Sequence, residues 1–257
     1  MLEVFDQIFL NQKFAHAYGF IGPEGVGKKT FAIEVASRHF KQPIIGLSSH
    51  PDFHLIDCQA LDAESFREKL SLSTTKPFIE KNVIVIFDNF DQLSQTAQQS
   101  LLKRLEEPSA STLFFLVSEA NLLPTIESRC VVFNFNRLSK LQIQEVVPEA
   151  KPSHLKFSQG SINKTISLVN DPEKLALLEK ALHSIKVASN ETDLWRVYFE
   201  LSKSEDSQFI LSSLVYAIKT DALNEPKYLP LLEKAFESLK VGTTNINPKF
   251  IYQNLII

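Results

Sequence analysis

Short apolar runs alternate with stretches of helical period over residues 1–136. The runs at 16–21, 53–57, 82–87, 112–117 and 131–135 read as strands, and 28–40, 63–71 and 92–106 as helices. Alternation of this kind predicts a parallel sheet covered by helices. Val83-Ile84-Val85-Ile86-Phe87 has no polar break, as expected for a strand buried on both faces. From Arg137 the pattern changes. Residues 137–170 hold two or three small helices, broken at Pro148, Pro152 and Gly160, and residues 171–257 are helical in period throughout. Leu175, Leu178, Leu182 and Ile185 form one apolar stripe, Leu194, Val197 and Leu201 a second. Ile210, Leu211, Leu214, Val215 and Ile218 form a third, and Leu231, Leu232, Ala235, Phe236 and Leu239 a fourth. The fold class expected is α/β followed by all-α, with a helix bundle whose stripes form its core and can also carry a subunit interface.

Composition narrows the function classes. A net charge of −3 argues against a chain that grips nucleic acid alone through a broad basic face. The two cysteines, Cys58 and Cys130, provide neither a disulfide framework nor a zinc cluster and suit a reducing interior. No apolar run reaches membrane-spanning length and the N-terminus does not resemble a signal, so a cytoplasmic chain without membrane contact is expected.

Four of the seven glycines lie between Gly19 and Gly27. Within that stretch Gly22-Pro23-Glu24-Gly25-Val26-Gly27-Lys28 has the form of a phosphate-binding loop. Glycines there let the backbone turn with positive φ and bring bare N–H groups to phosphate oxygens, while the lysine reaches the terminal phosphates. The helix expected next adds the anion preference of its N-terminus. The following residue should be Ser or Thr, to ligate Mg²⁺. Here it is Lys29, whose ammonium has no lone pair to donate, and the Gly22–Gly27 spacing keeps Thr30 out of that register. A plain glycine turn without a ligand is the competing interpretation.

A phosphate-loop ATPase also needs an acid at the end of a buried strand and a carboxylate to polarise water. Asp88 keeps the first role open, although a strand-end cap would also explain it. Asn89 stands where the second is required, and an amide is no base near neutral pH. Asp91 lies two residues further on, and Ser118 closes the next strand.

These features resemble the AAA+ clamp loader subunits. The blocks that carry the resemblance are residues 16–32 (HAYGFIGPEGVGKKTFA), the strand ending at Asp88, Gln99–Pro108 (QSLLKRLEEP), residues 112–117 and Leu123–Cys130 (LPTIESRC). Asn247-Pro248-Lys249-Phe250-Ile251-Tyr252 resembles that family's last collar helix. Within the family, the chain is most similar to the delta-prime branch of bacterial DNA polymerase III. The resemblance implies a RecA-like AAA+ domain over 1–136, a small helical lid over 137–170 and a helical collar for oligomerisation over 171–257. Two departures stand out. His50-Pro51-Asp52 is present but the family's four zinc cysteines are not, so no zinc is expected. In Gly160-Ser161-Ile162-Asn163 the lid's arginine is replaced by Asn163, with Lys164 next in line.

The resemblance further implies that Arg129, in Ser128-Arg129-Cys130, acts as an arginine finger in the ATP site of a neighbouring subunit. A surface salt bridge is the bland alternative for that residue. Gly22, Gly25, Gly27, Lys28, Thr30 and Asp88 would form a degenerate nucleotide site that requires no cofactor, with weak ATP or ADP binding left open and no metal. The chain would be the stator of a loader that places the sliding clamp on primer-template DNA, without ATPase or polymerase activity of its own. Partners would be the motor ATPase and clamp-opening subunits, with clamp and DNA met through the assembly. Glu106 and Glu107 are assigned no chemistry. Two rivals remain: a working motor-type AAA+ ATPase using Thr30 or water on the metal and Asp91 as base, and a pure assembly scaffold. The helical C-terminal third does not suit a small-molecule kinase.

Overall fold

The computed structural model describes residues 2–11, 14–71, 76–107, 111–187, 197, 201 and 206–224. Its contacts divide the chain into two units, Met1–Arg137 and Leu138–Ile257.

In the first unit five parallel strands form one sheet: β1 (Ala17–Ile21), β2 (Phe53–Asp57), β3 (Val83–Asp88), β4 (Thr112–Ser118) and β5 (Val131–Asn134), ordered β2-β3-β4-β1-β5. All five expected strands are present, within a residue or so at each end. The inner strands β1, β3 and β4 are buried along their whole length, whereas the edge strands β2 and β5 are partly exposed. Strand alternation explains the unbroken apolar sequence. Val83, Val85 and Phe87 pack with Phe66, Leu101 and Leu116 on one face, while Ile84 and Ile86 pack with Phe20, Val35 and Phe115 on the other. Both cores are needed to bury one strand.

Helix α1 (Leu2–Asn11), which the sequence pattern did not reveal, closes the second face. Its Phe5 is 1% exposed and sits 5.0–6.3 Å, centroid to centroid, from Tyr18, Phe20, Phe31, Phe115 and Phe133. Helix α2 (Lys28–Phe40) follows the glycine loop, α3 (Ile44–Leu47) precedes β2, and α4 (Ala63–Ser71) follows it. The helix expected over 92–106 is broken. A 3₁₀ turn at Phe90–Gln92 leads to α5 (Gln95–Ser100) and α6 (Leu102–Glu106). The Ser94 hydroxyl accepts the Ala97 N–H at 3.2 Å and starts α5 afresh. At its far end the Ser100 hydroxyl donates back to the Ala97 carbonyl at 2.6 Å, which favours a bend there. Helix α7 (Pro124–Glu127) carries the chain into β5.

The second unit contains α8 (Lys140–Val146), α9 (Pro152–Phe157), α10 (Ile162–Asn170), α11 (Pro172–Val187) and α12 (Ser207–Asn224). Pro152 occupies the first turn of α9, where its missing N–H costs nothing. Phe157 and Leu168 share one apolar core with Leu178, Leu182, Ile185, Leu201, Ile210, Leu214 and Ile218, so the small helices and the longer ones are packed together. Asp221 of α12 pairs with Lys156 of α9 at 3.0 Å and Lys186 of α11 at 2.5 Å. Pro108, Leu194, the stripe at 231–239 and the 247–252 motif lie outside the described residues.

Candidate functional site: a glycine loop, a strand-end aspartate and an exposed arginine

Because the strands are parallel, β1, β3 and β4 deliver their C-terminal ends to the same edge of the sheet. The glycine loop leaves β1 there. The Gly22 N–H donates to the Ser118 carbonyl at 3.1 Å, and the Phe135 N–H to the Ile21 carbonyl at 2.7 Å. Gly22 has φ 155°, and a Cβ on it would lie 2.1 Å from the Phe135 carbonyl oxygen, so only glycine fits. Gly25 and Gly27 have φ 73° and 93°, and Gly27 caps α2.

Lys28 is 6% exposed. Its ammonium is turned into the loop, donating to the carbonyls of Gly22 at 2.6 Å and Pro23 at 2.7 Å. Burial lowers its pKa, partly offset through space by the carboxylates of Glu119, Asp91, Asp88 and Glu24. Thr30 is exposed in the first turn of α2.

Lys29, read from sequence as an ammonium in place of the metal-ligating hydroxyl, has a defined partner. Its Nζ lies 2.8 Å from Oδ2 of Asp88, the acid at the end of β3. The Asp88 side chain is 9% exposed and the Lys29 side chain 48%. The pairing of GKK with a strand-terminal Asp was the available signal; their contact was not legible without the fold. Asn89 follows with φ 54° and ψ 41°, a left-handed conformation that asparagine tolerates well. Its Nδ2 donates to Asp57 Oδ1 at 2.9 Å. That bond, the Gln59 N–H and the Lys29 charge hold the Asp57 carboxyl below its usual range. Asp91 is also engaged: Oδ1 accepts the Glu119 N–H at 3.0 Å and Oδ2 accepts from Gln92 Nε2 at 2.9 Å.

The Mg²⁺ that a phosphate loop implies does not fit these residues. Such an ion is held by oxygen donors in near-octahedral geometry. Here the hydroxyl donor is an ammonium, and the strand-end carboxylate already holds that ammonium as its counterion. Among the described residues no three His, Cys, Asp or Glu side chains come together to hold a metal. Cys58 and Cys130 are free thiols pushed up to about 12 by burial, and so are poor nucleophiles.

Arg129 sits at the other end of the sheet, on the exit of α7 just before β5. Its Nη1 donates to the Thr125 carbonyl at 2.8 Å and the Ser128 hydroxyl at 3.2 Å, and its Nη2 to Glu106 Oε1 at 2.9 Å. The register pairs Tyr18 with Val131 and Ile21 with Asn134. At about 3.3 Å per residue, Arg129 and the loop are on the order of 15–20 Å apart. The structure thus brings Gly22, Gly25, Gly27, Lys28 and Asp88 together and leaves Arg129 remote from them. In the second unit, Ser161 caps α10 by accepting the Lys164 N–H at 3.2 Å. Asn163 is exposed, and the Lys164 ammonium bonds Ser212 Oγ at 3.2 Å and lies over the Phe209 ring.

Sequence reasoning named Glu106 and Asp52 without finding their roles: Glu106 is the partner of Arg129. The Asp52 carboxylate accepts three successive N–H groups, from Phe78, Ile79 and Glu80, at 2.6, 2.8 and 2.8 Å. His50 beside it stacks on Phe40, with centroids 4.4 Å apart. Both are structural uses of His50-Pro51-Asp52.

Comparisons with known proteins agree with this architecture. The family model described as DNA polymerase III, delta subunit, matches residues 1–139. The chain is 26% identical over 260 residues to subunit delta' of Bacillus subtilis DNA polymerase III, covering 89% of this chain and 78% of that protein. It is 28% identical over 137 residues to the corresponding subunit of Pseudomonas aeruginosa, covering 46% of this chain and 42% of that one. Among solved structures, a DNA polymerase III gamma subunit-related protein of Thermotoga maritima superposes with a TM-score of 0.56 at 18% identity. That match covers 97% of this chain and 96% of the other. It shows the AAA+ fold.

Proposed function

The chain belongs to the DNA polymerase III delta subunit family, as an AAA+ clamp loader subunit close to delta-prime, and from that premise we propose that it serves as the stator of the loader. In this reading its own loop performs no hydrolysis and Arg129 completes the ATP site of an adjacent motor subunit. The observation that carries it is the placement of Arg129. It stands exposed at the opposite end of the sheet from its own loop, too far away to act on a ligand there. A guanidinium delivered to a neighbour's phosphates stabilises the charge of the transferring phosphoryl group, an effect of about 10³–10⁵ in rate where it has been measured. Its planar fork is what lysine lacks. Lys29, Asn89 and the occupied Asp91 support a silent cis site.

The collar over 171–257, beyond the small lid over 137–170, would join the other loader subunits, with sliding clamp and primer-template DNA met through the assembly. The test is steady-state ATP hydrolysis by the same organism's motor and clamp-opening subunits on clamp and primed DNA. It is run without this chain, with it, and with Arg129→Ala, beside the chain alone. Stimulation at least tenfold, lost with Arg129→Ala while the chain alone is silent, is the expected result. Turnover by the chain alone, lost with Lys28→Ala but insensitive to Arg129→Ala, would replace the stator by a cis ATPase. Stimulation that survives Arg129→Ala would leave a scaffold.

A further inference from the structure

We propose that Lys29 is the resident cation of the phosphate loop, and that the loop takes a nucleoside diphosphate free of magnesium. This goes beyond the trans role of Arg129 and does not depend on it.

Two sets of contacts carry the proposal. The first is the Lys29–Asp88 pair. In a metal-using loop the strand-end acid and the residue after the lysine both serve the divalent ion. Here the acid is buried and 2.8 Å from an ammonium, so its charge is matched within the chain. Asp57, the next carboxylate along, is tied to Asn89 and also feels the Lys29 charge. A dication entering this corner would have to displace the ammonium and would be repelled by it.

The second is the state of Lys28. This ammonium is 6% exposed, yet its hydrogen-bond partners are two neutral carbonyls of its own loop. The carboxylates that influence it act only through space. A buried cation bonded only to neutral groups is held at a desolvation cost that an anion would relieve. The left-handed glycines at 25 and 27 turn the loop for such an anion, and α2 presents its N-terminus to it.

The diphosphate follows from what is lost. The loop N–H groups serve the α- and β-phosphates, and Lys28 spans the β- and γ-phosphates. The other groups that engage the γ-phosphate are the metal, here replaced by Lys29, and the water-polarising carboxylate, here Asn89 bound to Asp57, so a γ-phosphate has lost two of its three partners.

The experiment is calorimetric titration of the full chain with ADP, in EDTA and again in excess Mg²⁺, for wild type, Lys28→Ala and Lys29→Thr. Lys29 is half exposed, so its replacement leaves the core intact. The wild type should bind ADP in EDTA at least as tightly as in magnesium. Lys28→Ala should weaken binding at least tenfold, and Lys29→Thr should make it at least tenfold tighter in Mg²⁺ than in EDTA. The proposal is overturned if ADP gives no binding in either buffer, or if Mg²⁺ tightens wild-type binding tenfold. It is equally overturned if Lys28→Ala binds as wild type does, or if Lys29→Thr stays indifferent to Mg²⁺. None of these outcomes depends on Arg129, so hydrolysis in the assembly and binding here succeed or fail separately.

Discussion

The Arg129 guanidinium donates to Glu106 across 23 residues of sequence, joining the exit of α7 to the end of α6 at 2.9 Å. Both side chains are substantially exposed, 36% and 53%, and water competes for each charge. Such pairs contribute at most about 1 kcal/mol. Arg129→Ala and Glu106→Gln should therefore each lower the unfolding free energy by less than about 1 kcal/mol in urea titration. A larger loss for Arg129→Ala would mean that any defect in the assembled loader reflects folding rather than phosphoryl chemistry.

The Asp52 carboxylate presents a different balance, being buried and filled with three backbone donors. Burial pushes its pKa up, but the Phe78, Glu80 and Ile79 N–H groups outweigh it and hold the carboxyl below its usual range. A depressed folded pKa adds stability that is complete above the unfolded value, about 3.9, and is lost as pH falls through the lower folded value. Asp52→Ala should cost about 3 kcal/mol near pH 7. It should also flatten the acid limb of the stability profile below about pH 4. Hydrogen exchange at the amides of 78–80 reports the same loss locally. Unchanged protection there would refute the clamp.

Two glycines of one loop should respond unequally to alanine. At Gly22 the new Cβ would meet the Phe135 carbonyl oxygen at 2.1 Å, and that carbonyl is backbone rather than a movable side chain. At Gly27 nothing lies within 4 Å, leaving only the strain of φ 93°. Gly22→Ala should cost about 3 kcal/mol or more, and Gly27→Ala about 1–2 kcal/mol. Urea midpoints of the two variants decide this, and equal losses would contradict the close approach of β1's exit to Phe135.

Much of the architecture was legible in the chain. The five strands were, because each carries an apolar run between turn residues, and so were the small helices between Pro148, Pro152 and Gly160. Helix α1 was not: its signal is spread over ten residues beside a conspicuous glycine motif, and only the sheet gives Phe5 its five aromatic neighbours. The break between α5 and α6 was missed because hydrophobic period alone does not register Ser94, which caps α5, or Ser100, which bonds back into it.

By itself the sequence determined the glycine loop, its lack of a hydroxyl at position 29, the amide at position 89 and the motif around Arg129. These are matters of residue type and local spacing, which the chain states directly. Only the tertiary structure decided that Lys29 meets Asp88, that Asn89 serves Asp57, that Glu106 holds Arg129, and that Arg129 and the loop occupy opposite ends of one sheet. The three contacts among these join residues 23 to 59 positions apart, counted between their residue numbers. Parallel strands fix the Lys29–Asp88 and Asn89–Asp57 contacts by bringing the C-terminal strand ends to one edge, and they place Arg129, which precedes β5, at the other; the crossovers between strands have lengths the local pattern does not constrain.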